Sequence, residues 1–416
     1  MIAAVLFAAS GLTLAYVYRG YLVALRILGR LVGRPDALVS HPAARLTDGD
    51  LPGVTVYISA YNEVDRIAGR LTNLFEQDFP SDRMQILVIS DGSTDGTGEA
   101  VRSVAAQSRD RDVGLIEFER NQGRAVAQNM VAREAKYDVL LSTDAETVFE
   151  RSCVRRLVEP FIDDSVAVTG GRVIYRDVDS DVSTSIDDYW SYELDVRRAE
   201  QALGVLTKVS GPCVAYRREI WEEIEDFEDV DRVAVFFARR RGLRSLHVDD
   251  AICFDEPNRE WRQEIRVRRR MTRKGLLTVF HRWRWRDVLG DPLFTLALYS
   301  HQVARYPTPL YLTVALGSGL TLLGRVVGWG VSGLVAALLL LILAVGRAAD
   351  FGPLVWLTAR SKSFLAANLG FAWGWLDVLV GNTEGRYRPT RRLTAGGEED
   401  LRRDDPPDPP ERAELE

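Results

Sequence analysis

The sequence predicts an α/β domain with a mainly parallel, doubly wound sheet, carried between apolar terminal segments. Three observations lead to this prediction. Short apolar runs alternate with helical stretches from residue 54 to about residue 169, which is the order that parallel sheets require. Acidic motifs follow several of these runs directly, at the sheet edge where α/β proteins collect ligands. The remaining apolar residues are concentrated at the two ends of the 416-residue chain.

Each predicted strand is a short apolar run bounded by turn residues. The first run starts at Val54 and turns into a helix that extends to about Asp78. The predicted strands are 54–59, 85–90, 113–119, 139–142 and 166–169, and the later helices are 125–135 and 152–161. Because strands and helices alternate at this spacing, the loops that follow the strands are expected to share one edge of the sheet.

Composition excludes several classes of protein. The formal net charge is −6, which does not support a protein that coats nucleic acid. Basic residues are almost all arginine, and lysine occurs only at positions 136, 208, 274 and 362. Cys153, Cys213 and Cys253 are far apart and odd in number, which predicts neither a disulfide framework nor a zinc site. No P-loop or Gly-x-Gly-x-x-Gly pattern occurs, which argues against ATPases and dehydrogenases.

Residues 1–34 are predicted to form an uncleaved membrane anchor. The run Ile2–Tyr18 is about long enough to cross a bilayer, and arginines at positions 19, 26, 30 and 34 follow it. The positive-inside rule then places the N-terminus outside and the following domain in the cytoplasm. A cleaved signal peptide would carry its positive charge before the apolar run. Residues 35–52 are predicted to be a linker to the α/β domain at 53–280.

The C-terminal part is predicted to return to the membrane. Trp and Arg alternate at the start of the segment 281–308, a composition typical of chain that lies among lipid headgroups. A transmembrane bundle is predicted over 309–385. Its candidate spans are 309–324, 328–346 and 364–381, with a shorter apolar piece at 351–359. The tail 386–416 is predicted to be cytoplasmic and disordered, because it is acidic and rich in proline.

A cytoplasmic tail requires an even number of crossings after the α/β domain. The number of candidate spans is three, which is odd. Either 351–359 contributes to a fourth crossing or one span is re-entrant, and the sequence leaves both possibilities open.

Two carboxylates, Asp144 and Glu146, follow the predicted strand 139–142 directly. Oxygen ligands at this position suit Mg²⁺ or Mn²⁺, which usually bind through one or two carboxylates and the phosphates of a substrate. The pair is therefore interpreted as a diphosphate and metal site. The alternative interpretation is two solvated acids in a loop.

Asp91 and Arg124 also follow predicted strands at the same edge. The Asp91 carboxylate can accept hydrogen bonds from a base or a ribose, although capping of the next helix by Asp91 or Ser93 explains the same pattern. Arg124 lies beside Gly123 at a helix start and has the forked donors that suit phosphate; its alternative is a solvated surface arginine.

Four short motifs occur in order in this region. They are Ala60-Tyr-Asn-Glu63, Ile89-Ser-Asp-Gly-Ser-Thr-Asp-Gly-Thr97, Asn121-Gln-Gly-Arg-Ala125 and Thr143-Asp-Ala-Glu146. Together they resemble the inverting family 2 glycosyltransferases, and the likeness covers about residues 52–285. The resemblance implies a GT-A fold that binds a nucleotide diphosphate sugar, with a UDP-sugar favoured.

The resemblance also implies roles for single residues. The nucleotide-sugar site comprises Ala60, Tyr61, Glu63, Asp91, Arg124 and Asp144, and the metal site for Mg²⁺ or Mn²⁺ comprises Asp144 and Glu146. Within it, Asp91 contacts the base and Arg124 lies near base or phosphate. The family usually has Asp at the second metal position, where this chain has Glu146.

The later part of the domain resembles the acceptor side of the family. Ser210-Gly211-Pro212-Cys213 matches a Gly-containing segment, so Gly211 is expected to let the acceptor approach the backbone. Asp231 falls where the family places its general base, which takes the proton of the acceptor hydroxyl. Asp229 is the alternative base, because the adjacent acidic pair of the family is absent here.

Gln263 and Arg266 match the Gln-x-x-Arg-Trp element of the family, in which Val267 replaces Trp. By that likeness Gln263 belongs to the acceptor side, and Arg266 is catalytic through stabilisation of the leaving diphosphate. The alternative for Arg266 is contact with anionic headgroups. The missing Trp removes a stacking surface for a growing sugar chain.

The resemblance implies a multi-pass membrane enzyme with a cytoplasmic catalytic domain. It would move a sugar, with inversion, from a nucleotide diphosphate sugar to a lipid-linked or polysaccharide acceptor. The alternatives are a processive polysaccharide synthase that also exports its polymer, and a non-catalytic membrane scaffold on a transferase fold. Product length separates the two enzymes, and nucleotide release separates both from the scaffold. Membrane lipids are expected partners, nucleic acid is not, and the sequence does not predict the oligomeric state.

Overall fold

One sheet of eight strands organises the α/β domain. The computed structural model describes residues 1–32, 47–175, 183–255, 261–348 and 355–382. The strands are β1 (Val54–Ala60), β2 (Met84–Asp91), β3 (Asp112–Phe118), β4 (Val139–Thr143), β5 (Val148–Phe149), β6 (Val166–Tyr175), β7 (Val214–Arg217) and β8 (Arg244–Asp255). Their spatial order is β3-β2-β1-β4-β7-β6-β8-β5.

The half of the sheet that contains β1 to β4 is parallel, as predicted. Strand β7 runs antiparallel to β4 and β6, whereas β6 and β8 are parallel and β5 is antiparallel to β8. The α/β fold class is therefore confirmed, with a mixed second half. Strands β5, β7 and β8 lie outside the predicted set; β5 and β7 have only two and four residues, too few for a periodic signal.

Helices lie on both faces of this sheet and also form the apolar segments at the two ends of the chain. They are α1 (Ile2–Ala15), α2 (Tyr21–Val32), α3 (Val64–Phe75), α4 (Thr97–Gln107), α5 (Arg124–Glu134), α6 (Cys153–Val158), α7 (Ser183–Ala202), α8 (Val230–Arg240), α9 (Trp261–Arg282), α10 (Trp285–Gly290), α11 (Pro292–Leu298), α12 (Thr308–Val327), α13 (Trp329–Ala348) and α14 (Val355–Leu379). Val56 and Ile58 of β1 belong to one apolar core and Tyr57 to the other. Because successive strand residues point to opposite faces, the sheet is buried on both sides.

Among the described residues, two helical stretches are long and apolar enough to cross a membrane. One is Ile2–Val32, in which a π-helical turn joins α1 to α2, and the other is Thr308–Val327, which is α12. Helix α1 packs against α12, and α14 packs along α9. The predicted spans 328–346 and 364–381 fall on α13 and α14, where the apolar helical segments are shorter.

Several predicted segments lie partly or wholly outside the described residues. They are most of the linker 35–52, residues 351–354 of the short apolar piece, and the tail 386–416. The proposed domain boundaries, the bundle at 309–385 and the number of its crossings therefore stay predictions.

The Trp and Arg segment that starts at residue 281 divides between core and surface. The Trp283 ring lies 5.6 Å from the Phe236 ring and 4.8 Å from the Phe294 ring, and it is 4% exposed. Its indole N–H donates to Thr295 Oγ1 at 2.9 Å. Trp285 is 68% exposed. The predicted headgroup position therefore needs correction for Trp283, because aromatic rings of α8 and α11 bury it.

A buried ion pair joins α9 to the chain before α8. Glu228 is 2% exposed, and its two carboxylate oxygens accept hydrogen bonds of 2.6 Å from the Arg282 guanidinium. Glu228→Gln leaves the Arg282 charge without its closest anion. We therefore expect the free energy of unfolding to fall by about 3–5 kcal/mol. Denaturant titration of the purified chain in detergent measures this change.

Glu99→Gln is the matched control for this prediction. Glu99 forms an exposed pair with Arg102 at 3.0 Å, and water solvates both groups, so its removal is expected to change stability little. Equal losses in the two variants would contradict the assigned importance of the buried pair.

Candidate active site

A cavity of about 360 Å³ opens at the edge where β1, β2 and β4 end. Eight of the predicted site residues line it, namely Tyr61, Glu63, Asp91, Arg124, Asp144, Glu146, Gly211 and Asp231. The parallel strands bring the first six to one edge, because their carboxyl ends all point the same way. The loop before β7 and the start of α8 contribute the last two.

The first two motifs form a single hydrogen-bonded unit beside this cavity. Asn62 has a left-handed φ of 56°, and its side chain accepts from the Thr94 N–H at 2.8 Å. The Asp95 carboxylate accepts from the Val64 N–H at 3.0 Å and from the Thr97 N–H at 2.9 Å. Asp95 thus satisfies N-terminal donors of both α3 and α4, a capping role that the sequence analysis considered for Asp91 or Ser93.

Asp91 connects the end of β2 to the loop that precedes α5. It is 4% exposed, and its two oxygens accept from the Gln122 N–H at 2.7 Å and the Gly123 N–H at 2.9 Å. Directly after Asp91 the backbone turns at Gly92, where φ is 72° and an added Cβ atom would collide with the backbone of the loop that precedes α5. Asp91 therefore positions this loop, and its contact with a base stays a prediction.

Arg124 and Asp144 form an ion pair in the cavity, with Nη2 and Oδ1 2.7 Å apart. Burial lowers the pKa of Arg124, but the neighbouring Asp144 and Asp229 carboxylates raise it overall. On the same side, burial raises the pKa of Glu63, and Asp144 adds to this shift while Arg66 opposes it. The pair joins the third motif to the fourth and presents both charges to the cavity.

The two candidate bases have opposite electrostatic environments. Asp229 lies 2.9 Å from the Lys274 ammonium; burial would raise the pKa of Asp229, but Lys274 and Arg124 lower it to about 2. Burial raises the pKa of Asp231, Asp229 raises it further, and Arg232 opposes the shift. A general base needs a pKa nearer the working pH, so these environments favour Asp231 over the ion-paired Asp229.

Helix α9 lines the cavity with one of its faces. Val267, Arg270, Met271 and Lys274 line the cavity, and their spacing is that of one helical face. Arg266 is exposed and Gln263 is 6% exposed, and neither lines the cavity. Gln263 lies on this same helical face, one turn before Val267, whereas Arg266 lies to the side of it, so the roles of both residues with substrate stay predictions. Ala60, also predicted, is buried at the end of β1 outside the lining.

Two lysines that line the cavity are absent from the predicted site residues. Lys208 and Lys274 both line the cavity, which makes them half of the lysines at 136, 208, 274 and 362. In a chain that otherwise uses arginine, the rarity of lysine was the available signal. Lysine has a compact ammonium group on a flexible stem, and here it serves carboxylates within the domain.

The residues present meet part of what the metal site predicted at Asp144 and Glu146 requires. Both side chains line the cavity, although Asp144 also serves Arg124. Within the part of the chain that the structure describes, no group of three or more His, Cys, Asp or Glu side chains could hold a metal alone. Mg²⁺ and Mn²⁺ need no such group when substrate phosphates complete their coordination.

Comparisons with known proteins agree with this architecture. The family description "Glycosyl transferase family 2" matches residues 55–225. A poly-beta-1,6-N-acetyl-D-glucosamine synthase of Staphylococcus aureus is 24% identical over 228 residues, which cover 52% of this chain and 54% of the relative. An N-acetylglucosaminyltransferase of Bradyrhizobium diazoefficiens is 25% identical over 283 residues, covering 62% and 57%. The chain thus spans little more than half the length of these relatives.

A solved structure gives the same fold. The mannosyltransferase of Pyrobaculum calidifontis, in complex with GDP-Man and Mn²⁺, superposes with a TM-score of 0.65 and 23% identity, covering 88% of this chain and 99% of that one. Together with the motif order and the mixed sheet, these findings give the family and the fold. The chain carries a glycosyltransferase family 2 domain built on the GT-A fold.

Proposed function

We propose that the chain is a membrane-bound inverting glycosyltransferase that moves a sugar from a nucleotide diphosphate sugar to a lipid-linked or polysaccharide acceptor. One observation carries the proposal: a single cavity holds the Arg124 and Asp144 pair on its strand side and Asp231 on its helix side. The Arg124 and Asp144 pair suits a diphosphate, and Asp231 suits an acceptor hydroxyl. Both halves of a group transfer thus have a place.

Asp231 acts as the general base in this proposal. It takes the proton of the acceptor hydroxyl while the hydroxyl oxygen bonds to the anomeric carbon from the side opposite the diphosphate. The bond from that carbon to the diphosphate oxygen breaks, and its electron pair leaves with the nucleotide diphosphate. Arg270 and Lys274 line the same cavity, so their charges favour the leaving group.

A divalent cation completes the donor side of the proposal. Asp144 and Glu146 would hold Mg²⁺ or Mn²⁺ together with the diphosphate. When bound, the ion offsets the charge that develops on the leaving group. The mannosyltransferase neighbour was solved with GDP-Man and Mn²⁺, which supports the class of donor and metal. UDP is favoured as the nucleotide by the motif resemblance alone.

The apolar helices support a location at the membrane. The stretch Ile2–Val32 and α12 meet the length and composition of membrane spans. We place the catalytic domain on the cytoplasmic side, in a multi-pass arrangement with the C-terminal helices, because arginines follow the first span. A domain held against the bilayer raises the effective concentration of an acceptor that is attached to lipid.

A processive polysaccharide synthase is the second candidate. The Staphylococcus aureus relative is a poly-beta-1,6-N-acetyl-D-glucosamine synthase, which favours a polymer product. Val267 lines the cavity where the family carries Trp, and it offers no aromatic surface on which a growing chain could stack. Product length with purified enzyme separates the candidates: single additions support the first, and a ladder of long products supports the second.

The proposed function can be tested with the full chain in lipid nanodiscs. The donors offered are radiolabelled UDP-GlcNAc, UDP-glucose and GDP-mannose. Label in the lipid or polymer fraction and release of the nucleotide diphosphate are the two readouts. Asp144→Ala removes the partner of Arg124 and a proposed metal ligand, so we expect both rates to fall by about 100-fold or more.

Asp138→Ala is the matched control at the other end of β4. The Asp138 side chain is 82% exposed and lies outside the cavity lining, so activity is expected to stay near wild type. Wild-type protein that neither releases nucleotide nor transfers label from any of these donors would favour the scaffold alternative.

A further inference from the structure

Arg197 is a buried arginine without a carboxylate partner among the described residues. It lies on α7 and is 5% exposed. Its Nη1 donates to Ser210 Oγ at 2.5 Å, while Nε has no hydrogen-bond partner within the described ranges. A buried charge is costly unless an opposite charge or a set of hydrogen bonds compensates it. No described residue therefore supplies an anion that would compensate the charge of Arg197.

A second cavity, of about 90 Å³, lies beside this guanidinium. Arg172, Arg197 and His247 line it together with Glu193. Arg172 is half-buried and, like Arg197, has no ion pair with any described residue. His247 is 5% exposed, and its Nε2 lies 3.2 Å from Asp249 Oδ1, so Nδ1 of the neutral ring is an acceptor. The charged donors in the wall of this small cavity are thus the two guanidinium groups.

Glu193 does not neutralise these donors, because other cations already hold it. Its carboxylate pairs with Arg305, lies 3.1 Å from His301 Nε2 and lies 3.6 Å from Lys208 Nζ. These three cations keep the pKa of Glu193 below its ordinary value despite its burial, which acts in the opposite direction. The net charge offered to the small cavity is therefore positive.

The small cavity lies on the acceptor side of the active site. Val173, Tyr175, Arg197 and Ser210 line both cavities, whereas the donor-side residues line only the larger one. Ser210 precedes Gly211, where an added Cβ would lie 3.9 Å from the Asp231 side chain. A ligand that reaches from Asp231 past Ser210 would bring its next group to Arg197.

We propose that the small cavity is an acceptor subsite that binds a phosphate group, held by Arg197 and Arg172. Guanidinium forks match the oxygens of phosphate, and the volume suits such a group rather than a whole nucleotide sugar. The inference rests on the proposed transferase function and narrows its acceptor to one that carries a phosphate near the reacting hydroxyl. The phosphate belongs either to a lipid carrier or to a phosphorylated saccharide.

Binding to the full chain in nanodiscs tests this subsite without relying on turnover. The probes are farnesyl phosphate against farnesol for the lipid source, N-acetylglucosamine 6-phosphate against N-acetylglucosamine for the saccharide source, and UDP for the donor site. We expect Arg197→Gln to weaken binding of one phosphorylated probe by about 10- to 100-fold, which is the loss of a charged hydrogen bond. Binding of the uncharged probes and of UDP is expected to stay within about twofold of wild type.

Arg172→Gln is expected to act in the same direction. Arg198→Gln removes the same charge from the next position of α7, where Arg198 pairs with Asp249 at 2.8 Å, and it is expected to leave all affinities unchanged. The melting temperature reports any structural role. Because Arg197 has no carboxylate to leave unpaired, Arg197→Gln is expected to maintain or raise it.

Four results would overturn the subsite. They are an equal loss of UDP affinity in Arg197→Gln, unchanged affinity for both phosphorylated probes, no saturable binding of either to wild type, and a fall in melting temperature comparable with that of Glu228→Gln. Failure of the proposed function itself is distinguishable, since nucleotide release from the donor sugars would then be absent in wild type while the binding assay still reports on the subsite.

Discussion

Asp231→Asn is expected to abolish sugar transfer while donor binding persists. The amide keeps the size of the side chain but cannot take the proton of the acceptor hydroxyl. General-base catalysis contributes about 10²- to 10⁴-fold, so the transfer rate is expected to fall by that factor. UDP affinity is expected to stay near wild type, because the Arg124 and Asp144 pair proposed to hold the diphosphate is unchanged and no ion pair joins it to Asp231 among the described residues. Initial rates of label transfer and equilibrium binding of UDP measure the two effects.

The pH dependence of wild type gives the same prediction a second readout. Burial and Asp229 raise the pKa of Asp231, so its carboxylate becomes protonated at a higher pH than that of an ordinary aspartate. The protonated form cannot act as a base. Transfer is therefore expected to fall as the pH drops through this raised pKa, and this acid limb of the kcat/KM profile is expected to be absent from the residual activity of Asp231→Asn.

Asp229→Asn separates the two candidate bases. Its carboxylate pairs with Lys274 and has a pKa of about 2, so it stays ionised throughout the working range and is a weak proton acceptor. We expect the variant to retain the acid limb of the pH profile, with a lower melting temperature because Lys274 loses its partner. Loss of transfer in Asp229→Asn together with activity in Asp231→Asn would reverse the assignment.

Gly92→Ala is expected to dismantle the donor side of the cavity. Gly92 has a φ of 72°, which residues with a Cβ rarely adopt. The Cβ of an alanine at this position would collide with the backbone of Arg120 and Asn121. Strain and overpacking together are expected to lower the free energy of unfolding by about 2–6 kcal/mol. The collision also pushes away the loop that Asp91 holds, so UDP affinity is expected to fall with stability.

Gly69→Ala is the control for this substitution. Gly69 is exposed within α3, and a Cβ there meets no atom within 4 Å. Alanine in a helix interior is expected to stabilise by about 0.5–1 kcal/mol relative to glycine. Denaturant titration and UDP binding of both variants provide the comparison. Wild-type stability and affinity in Gly92→Ala would show that the loop accommodates a side chain and that the described turn is not required.

Local pattern was sufficient for the parallel half of the sheet. Strands β1 to β4 begin and end close to the predicted residues, because buried parallel strands are continuous apolar runs and their loops carry turn residues. The gathering of Asp91, Arg124 and Asp144 at one edge followed from this alternation. The order of four motifs was enough to indicate the family.

Sequence alone determined the class of fold, the residues at the edge where β1, β2 and β4 end, and the apolar stretches at both ends of the chain. Each of these depends on short-range pattern. Only the tertiary structure gives a reason to prefer Asp231 to Asp229 as the proposed base, because Asp229 pairs with Lys274, which lies 45 positions away along the chain. It also decided which face of α9 meets the cavity, that Trp283 is buried, and that Arg197 lacks a carboxylate among the described residues. Burial and charge pairing arise between segments distant in sequence, and for that reason no local pattern contains them.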